Sequence, residues 1–225
     1  MCAQGCHLAS IIVALVLTCP SVSLSQHGCF NHRDCNYADY YTKDGEPASV
    51  GSWPWMVQIN LHSRYHCGGV IIDRTHVITA GHCGDGKPAW SLQVYVGGHR
   101  LHEPYSTHTV THVNVHPNFV LKQTSFGSLL DLDNDIAILT VYPAFVFNDL
   151  VQPVCLPARN VRRGDLCYLT GWGRLYSNGP NPSQLQQMRA HVVHDWRCSR
   201  GGLRRSFKPA TMFCVDGHGA ADSCW

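Results

Sequence analysis

From residue 45 onward, apolar and β-branched residues recur in short runs that are separated by Gly, Pro, Asn and Asp. Runs of this length, alternating in several places with polar residues, are typical of β-strands. No long amphipathic helix and no repeat of fixed period is found among them. The pattern therefore predicts an all-β barrel or sandwich. The predicted strands are residues 56–61, 69–72, 76–79, 92–96, 107–115, 136–141 and 167–170.

The start of the chain has a different pattern. Residues 8–19 form one apolar run that is too short to span a bilayer, and Pro20 and small residues follow it. This arrangement predicts a signal peptide over residues 1–25, with cleavage after Ser25. Because residues 1–7 contain no Lys or Arg, a buried structural helix remains the alternative.

The rest of the chain divides into a leader and one domain. Residues 26–44 are polar, contain Cys29 and Cys35, and form a propeptide-like leader, while residues 45–225 form the domain. No second long apolar segment follows, so we expect a secreted protein without a membrane anchor.

Composition agrees with secretion and narrows the partners. The 225 residues include 12 cysteines, and disulfides persist in oxidising compartments. The formal net charge of +2 gives no reason to expect nucleic acid or an anionic membrane as a partner.

Three of the 15 histidines, His108, His112 and His116, have the spacing of a metal cluster on a helix. They lie in or next to a predicted strand, however, where positions four apart are about 13 Å from each other. They could not share one ion. We therefore expect no metal site and interpret them as solvent-facing strand histidines.

His82 is the first candidate for chemistry. Cys67 and Cys83 bracket two apolar runs that have the form of a hairpin, and His82 directly precedes the second cysteine. A disulfide between the two would hold His82 beside a rigid strand end, where a catalytic base has to be held. A loop histidine next to a structural disulfide is the alternative.

Asp135 is the second candidate. The alternating aspartates Asp131, Asp133 and Asp135 suggest a calcium loop, but the required Gly and Glu positions are taken by Ile136 and Tyr142. What remains is an aspartate that enters a buried apolar strand, which is costly unless a partner uses the carboxylate. An imidazolium is a suitable partner, because an acid that orients a histidine forms the base half of a catalytic triad.

Over residues 45–225 the chain resembles trypsin-like serine proteases. The motifs that carry the resemblance occur in the family's order: Trp53-Pro54-Trp55-Met56-Val57, Cys67-Gly68-Gly69, Thr79-Ala80-Gly81-His82-Cys83, Asp135-Ile136-Ala137-Ile138-Leu139, Val151-Gln152-Pro153-Val154-Cys155-Leu156-Pro157, Gly171-Trp172-Gly173 and Met212-Phe213-Cys214. The resemblance implies two antiparallel six-stranded β-barrels of the chymotrypsin type, with the active site between them and no cofactor. It also implies that His82 and Asp135 are the triad histidine and aspartate.

Asp222 lies where the family has the wall of its primary specificity pocket. An aspartate at that place resembles the trypsin branch, which cuts after Arg and Lys, because a desolvated carboxylate pairs with a cationic side chain. An ordinary surface-loop aspartate is the alternative.

The resemblance also implies the disulfides. It pairs Cys67 with Cys83 and Cys198 with Cys214, and it joins Cys155 to one of the leader cysteines, Cys29 or Cys35. Two further cysteines, Cys167 and Cys224, match family cysteines whose partners lie beyond residue 225.

The sequence departs from the family in two places. The family continues after the cysteine matched by Cys224 with Gly-Asp-Ser-Gly-Gly, which supplies the nucleophile and the oxyanion hole, whereas Trp225 is the last residue here. We therefore expect an incomplete second barrel and no activity. Ser223 is no substitute for the missing serine, because the family residue at its position points away from the histidine. At the activation site, Tyr41-Thr42 replaces the family's basic residue and the Ile or Val that follows it.

Three functions are compatible with these features. The first is a secreted serine endopeptidase with an Arg/Lys-type pocket, acting on protein or peptide substrates and open to protease inhibitors. The second is a non-catalytic homologue that acts as a binding or decoy module, and the third is a gene-model or splice fragment.

Overall fold

The computed structural model describes residues 14–16, 46–123, 129–157, 159–173, 180–200 and 207–216. Within these residues, two short α-helices and one 3-10 turn accompany the strands: α1 (Gly81–Gly84), α2 (Asp195–Arg200) and Ala89–Ser91. None of the helices in the described residues is long and apolar enough to cross a membrane. The strands in chain order are β1 (Ala14–Val16), β2 (Glu46–Pro47), β3 (Met56–Leu61), β4 (Arg64–Ile71), β5 (His76–Thr79), β6 (Leu92–Val96), β7 (Ser106–Val115), β8 (Val120–Gln123), β9 (Leu129–Asp133), β10 (Ala137–Tyr142), β11 (Leu166–Gly171), β12 (Gln186–Val193) and β13 (Cys214–Asp216).

Six strands close into a barrel in the order β10-β5-β4-β3-β6-β7, and every neighbouring pair is antiparallel. Side chains alternate between the barrel interior and its outside, as in β6, where Leu92, Val94 and Val96 are buried and the residues between them are partly exposed. A strand has this period of two because successive side chains point to opposite faces. The predicted all-β fold of the chymotrypsin type is confirmed.

Local pattern predicted most strands of this barrel well. The predictions over residues 56–61, 76–79 and 92–96 coincide with β3, β5 and β6. The strand predicted over residues 69–72 is the second half of the longer β4, whose first residues are polar and partly exposed.

The second sheet is built mainly from later strands. Its order is β1-β11-β12-β13, and β2 also pairs with β12, so five strands are present within the described residues and the sheet does not close there. A second apolar cluster fills the space between this sheet and the barrel. Its buried members are Ala48, Trp53, Trp55, Met56, Tyr168, Trp172 and Leu185.

Side-chain contacts join the barrel to the second sheet. The Trp53 indole N–H donates to the Gln187 side chain at 2.8 Å, and the rings of Tyr65 and Trp172 meet edge to face. Burial raises the pKa of the Tyr65 phenol, and a hydrogen bond from the Trp172 backbone opposes this. The Tyr65 hydroxyl is therefore a neutral, partly buried part of the junction.

The structure corrects one sequence-based expectation. His108 does not face solvent: its side chain points into the barrel, is buried, and its two ring nitrogens lie 2.9 Å from the Ser106 hydroxyl and 2.7 Å from the Pro143 carbonyl oxygen. These contacts satisfy a polar ring that is costly to bury.

Candidate active site

His82 is held by the elements on both sides of it. It lies in α1, which starts directly after β5, and the preceding Ala80 is still extended at φ −77° and ψ 153°. The next residue, Cys83, forms a disulfide with Cys67 of β4, with 6.3 Å between the Cα atoms. The sharp change from strand to helix therefore occurs beside a covalent link to the barrel.

Asp135 lies in the short connection between β9 and β10. Asn134 precedes it with φ 49°, a left-handed conformation that Asn tolerates better than most residues. The Ile136 N–H donates to the Asn134 carbonyl at 2.8 Å, which closes this turn. The turn directs the Asp135 carboxylate toward α1.

Both oxygens of the Asp135 carboxylate accept hydrogen bonds from His82. Oδ1 accepts from the His82 backbone N–H at 2.8 Å, and Oδ2 lies 2.8 Å from Nδ1 of the ring. The two side chains are only 16% and 17% exposed, so water screens this pair weakly. One carboxylate therefore fixes both the backbone and the ring of the histidine.

This geometry determines what the imidazole can do. An ionised carboxylate only accepts hydrogen bonds, so Nδ1 carries the proton and Nε2 of the neutral ring has a free lone pair. In the part of the chain that the structure describes, Nε2 is buried and has no hydrogen-bond partner. A ring held in this way can accept a proton from a hydroxyl group placed next to Nε2.

The absence of a side chain at Gly81 lets the Asp135 carboxylate approach His82. A Cβ atom at Gly81 would lie 3.2 Å from Asp135 Oδ1 and 2.9 Å from the Phe119 ring. Real Cβ atoms essentially never come as close as the second distance. Glycine at this position therefore allows the carboxylate to reach His82.

A second histidine, His66, lies beside the disulfide. Nε2 of His66 lies 3.2 Å from the Cys83 carbonyl oxygen. The pKa of His66 is lowered, chiefly by burial and further by its neighbours Lys87 and His82, and the hydrogen bond with the Cys83 carbonyl opposes this. His66 also lies beside the sulfurs of Cys67 and Cys83, which the disulfide removes as thiolate ligands.

The strand that leads into Asp135 is attached to a turn near the C-terminal end of the described chain. Lys208 forms an ion pair with Asp131 at 3.1 Å, and the Thr211 hydroxyl donates to Asp133 at 2.6 Å. The Thr211 hydrogen bond is the main cause that lowers the pKa of Asp133, and a smaller effect of burial opposes it. The Asn134 N–H and the charges of Lys208 and His116 lower this pKa further. We call these two contacts the β9 latch.

The structure brings His82 and Asp135 together, but it does not describe every predicted site residue. Asp222, Cys224, Tyr41 and Thr42 lie outside the described residues, as do both leader cysteines proposed for Cys155. The structure joins Cys67 to Cys83 and Cys198 to Cys214, which is the pairing that the resemblance implies.

Sequence reasoning missed His66 and the β9 latch. For the latch a signal is present in the sequence, since Asp131, Asp133 and Asp135 alternate there and suggested a calcium loop. Their partners come from residues far along the chain, so only the folded structure shows what they bind.

Comparisons with known proteins agree with this geometry. Residues 42–225 match the model of the trypsin family. The chain is 32% identical to the proclotting enzyme of Tachypleus tridentatus over 80% of its length, and 37% identical to human chymotrypsin-like elastase family member 3A over 77%. It is also 32% identical to chymotrypsin-2 of Vespa crabro over 79%. These matches span 51%, 66% and 78% of the three relatives, so the chain covers about half of the first and two thirds of the second.

Proposed function

The chain belongs to the trypsin family of serine proteases, and on that premise we propose that it carries the general-base half of a secreted endopeptidase site. In this proposal Nε2 of His82 takes the proton of a serine hydroxyl, and Asp135 orients and stabilises the ring that receives it. The observation that carries the proposal is the pair of 2.8 Å contacts from His82 to one carboxylate.

The serine and the oxyanion-hole amides belong, in the family, to a Gly-Asp-Ser-Gly-Gly segment that residues 1–225 do not contain. Family enzymes that lose triad residues retain about 10³ to 10⁴ over the rate in water through the oxyanion hole and substrate binding. A polypeptide of residues 1–225 alone lacks that oxyanion hole as well. We therefore propose that it hydrolyses no peptide substrate.

Cleavage after Arg or Lys is the proposed specificity. It is supported by the position of Asp222 after Met212-Phe213-Cys214 and by the affinity of a desolvated carboxylate for a cationic side chain. Two of the relatives are named as an elastase-like protein and a chymotrypsin, so substrates with small and aromatic residues are tested beside those with Arg and Lys.

Secretion is proposed together with this activity. It is supported by the predicted signal peptide over residues 1–25 and by the two disulfides, which are stable in oxidising compartments.

One observation favours a second function, that of a non-catalytic binding or decoy module. The activation position holds Tyr41-Thr42. Cleavage after the nearby Lys43 would make Asp44 the new N-terminal residue, and a charged residue does not suit the apolar pocket that receives this terminus in the family. Such a module would be a stable, monodisperse secreted protein. A product found only as aggregates or fragments would contradict this second function.

The decisive experiment compares two purified proteins with Arg, Lys, aromatic and small-residue peptide substrates. One is the polypeptide of residues 1–225, and the other is the product of the transcript when its reading frame is open past the Trp225 codon. We expect no turnover by the first protein. If the second continues with Gly-Asp-Ser-Gly-Gly, we expect cleavage after Arg and Lys.

Variants of the longer product separate catalysis from specificity. His82→Ala should lower kcat by about 10⁶. Asp222→Asn should reduce Arg and Lys cleavage selectively, while Asp195→Asn, at an exposed helix position, should change neither. Turnover by residues 1–225 that His82→Ala abolishes would contradict the proposed inactivity, and equal rates for Asp222→Asn and the unsubstituted protein would contradict the pocket assignment.

A further inference from the structure

Strands β5, β10 and β7 lie side by side in the closed barrel, and one residue of each lies in a common row. Thr140 of β10 is paired with His76 of β5 on one side and with His112 of β7 on the other. Opposed residues of neighbouring strands point to the same face of a sheet. Leu139 and Val141, on either side of Thr140, are buried in the barrel, so Thr140 and both histidines face outward.

This row brings two histidines closer together than the spacing along one strand allows. Along β7, positions four residues apart are about 13 Å from each other, which excludes an ion shared by His108, His112 and His116. Across strands, opposed Cα atoms are about 4.5 to 5.5 Å apart, so those of His76 and His112, which flank β10, are about 9 to 11 Å apart. The two imidazoles can therefore lean over the small side chain of Thr140 and share one ion, at metal–nitrogen distances of about 2.0 to 2.1 Å.

His76 is held in the form that binds a metal ion. Its Nδ1 lies 3.0 Å from Oδ1 and 2.9 Å from Oδ2 of Asp73. Burial would raise the pKa of Asp73, but hydrogen bonds from the Thr75 N–H and from His76 outweigh it and lower the pKa. An ionised carboxylate only accepts hydrogen bonds, so Nδ1 carries the proton and Nε2 has a free lone pair. Histidines that bind metal ions almost always have such a partner on the nitrogen that does not bind the ion.

His112 offers a second ring nitrogen on the same face. The residue is exposed, and its Nδ1 lies 3.1 Å from the Thr111 hydroxyl. Among the described residues, no hydrogen bond is made to Nε2 of His112 or of His76, whose side chain is 38% exposed. An ion can therefore reach both Nε2 atoms from solvent.

We propose that His76 and His112 form a binding site for a divalent transition-metal ion on the outer face of the barrel, with Zn²⁺ or Cu²⁺ held between the two Nε2 atoms. Imidazole nitrogen suits these ions, and water completes their coordination. Asp73 is the positioning residue, because it orients the His76 ring. The ion joins the two strands on either side of β10, so it stabilises the closed barrel by binding only the folded chain.

This site is separate from the candidate active site. His76 is the first residue of β5, whereas His82 lies in α1 beyond the last residue of that strand. The proposal therefore does not depend on the proposed proteolytic function, and its test needs no catalytic activity.

Chemical labelling read out residue by residue distinguishes this site from the other histidines. Diethyl pyrocarbonate modifies neutral imidazole nitrogens, and a bound ion blocks the reaction. Folded protein of residues 1–225, with both described disulfides formed, is labelled at about pH 7.5 over a series of Zn²⁺ concentrations, and mass spectrometry locates the label. We expect His76 and His112 to become protected together, at the same Zn²⁺ concentration. The exposed His194, outside the row, should remain reactive.

Substitutions test whether one ion bridges the two rings. His112→Ala should remove the protection of His76, and His76→Ala should remove that of His112, whereas the matched control His194→Ala should leave both rings protected. Cu²⁺ should protect the same pair at lower concentration than Zn²⁺. Protection of His76 that survives His112→Ala unchanged, or no protection of the pair at millimolar Zn²⁺, would overturn the proposal.

Asp73→Asn tests the positioning residue. It keeps an oxygen that can accept the Thr75 N–H but removes the negative charge that binds Nδ1 of His76. The Zn²⁺ concentration for half-protection should rise by about tenfold or more. An unchanged concentration would show that Asp73 does not orient the ring toward an ion.

Discussion

Gly81, the residue before His82, has no side chain, so the Asp135 carboxylate and the Phe119 ring can approach its backbone. The carboxylate then binds both the backbone N–H and Nδ1 of His82, each at 2.8 Å. The orientation of the histidine ring therefore depends on a close contact that any larger residue would disturb.

We expect Gly81→Ala to lower the free energy of unfolding by about 1 to 3 kcal/mol, the usual effect of forcing an extra carbon into a packed site. Denaturant unfolding of the full chain measures this change. The loss should be smaller in a Phe119→Leu background, where the ring at 2.9 Å has been replaced. An equal loss in both backgrounds would contradict the contact that we assign to Phe119.

Single residues could be predicted from the sequence when their local pattern carried the information. His82 and Asp135 stand at strand ends beside distinctive neighbours, so both were predicted, and the structure brings them into contact. His108 was placed on the wrong face, because a mostly polar strand does not reveal which side lies inside a barrel. His66 could not be predicted, since its contact with Cys83 depends on how β4 and α1 lie together.

At the scale of elements, β9 links the second half of the chain to the catalytic candidate. Lys208 and Thr211 bind Asp131 and Asp133, and Asp135 follows two residues later. Asp133 keeps its charge to lower pH than an ordinary carboxyl because the Thr211 hydroxyl binds the ionised form. The latch should therefore be strongest at neutral pH.

Thr211→Val removes the hydroxyl at nearly constant volume and should change the pH dependence of stability. A carboxyl whose pKa is lowered by folding stabilises the protein above its unfolded pKa, and this contribution is lost as pH falls through the folded value. The unsubstituted protein should thus be more stable than Thr211→Val at neutral pH, and the difference should begin to shrink near about pH 4 and disappear only at lower pH, below the lowered pKa of Asp133. Unfolding free energies measured across this range give the result.

Thr211→Ser is the matched control, because it keeps the hydroxyl and should retain the pH-dependent part of the difference. If Ser and Val behave alike, or if the difference persists unchanged in acid, the Thr211 hydroxyl does not act on Asp133.

Strands, like single residues, could be predicted where the local sequence pattern carried the information. β3, β5 and β6 carry apolar residues bounded by turn residues, so their positions followed from the sequence. β12 was missed because its first half, Gln186-Gln187-Met188-Arg189, is polar and partly exposed. β1 was predicted only as part of a signal peptide, since its pairing depends on a strand more than 150 residues away.

At the scale of the whole molecule, the two halves contribute differently to the site. The closed barrel and its connections supply His82, Asp135 and the disulfide between Cys67 and Cys83. The second sheet, as far as the structure describes it, is open and supports the barrel through Trp53, Tyr65 and their partners. The base half of the site should therefore be formed whenever the barrel is folded.

Nuclear magnetic resonance of the His82 ring in folded protein of residues 1–225 tests this claim most directly. At mildly alkaline pH, where a histidine is neutral, we expect the ring proton on Nδ1, in a hydrogen bond that slows its exchange with water. Asp135→Ala should abolish this protected signal, and Asp133→Ala should keep it. A proton on Nε2 in the unsubstituted protein, or an Nδ1 signal that survives Asp135→Ala, would contradict the account.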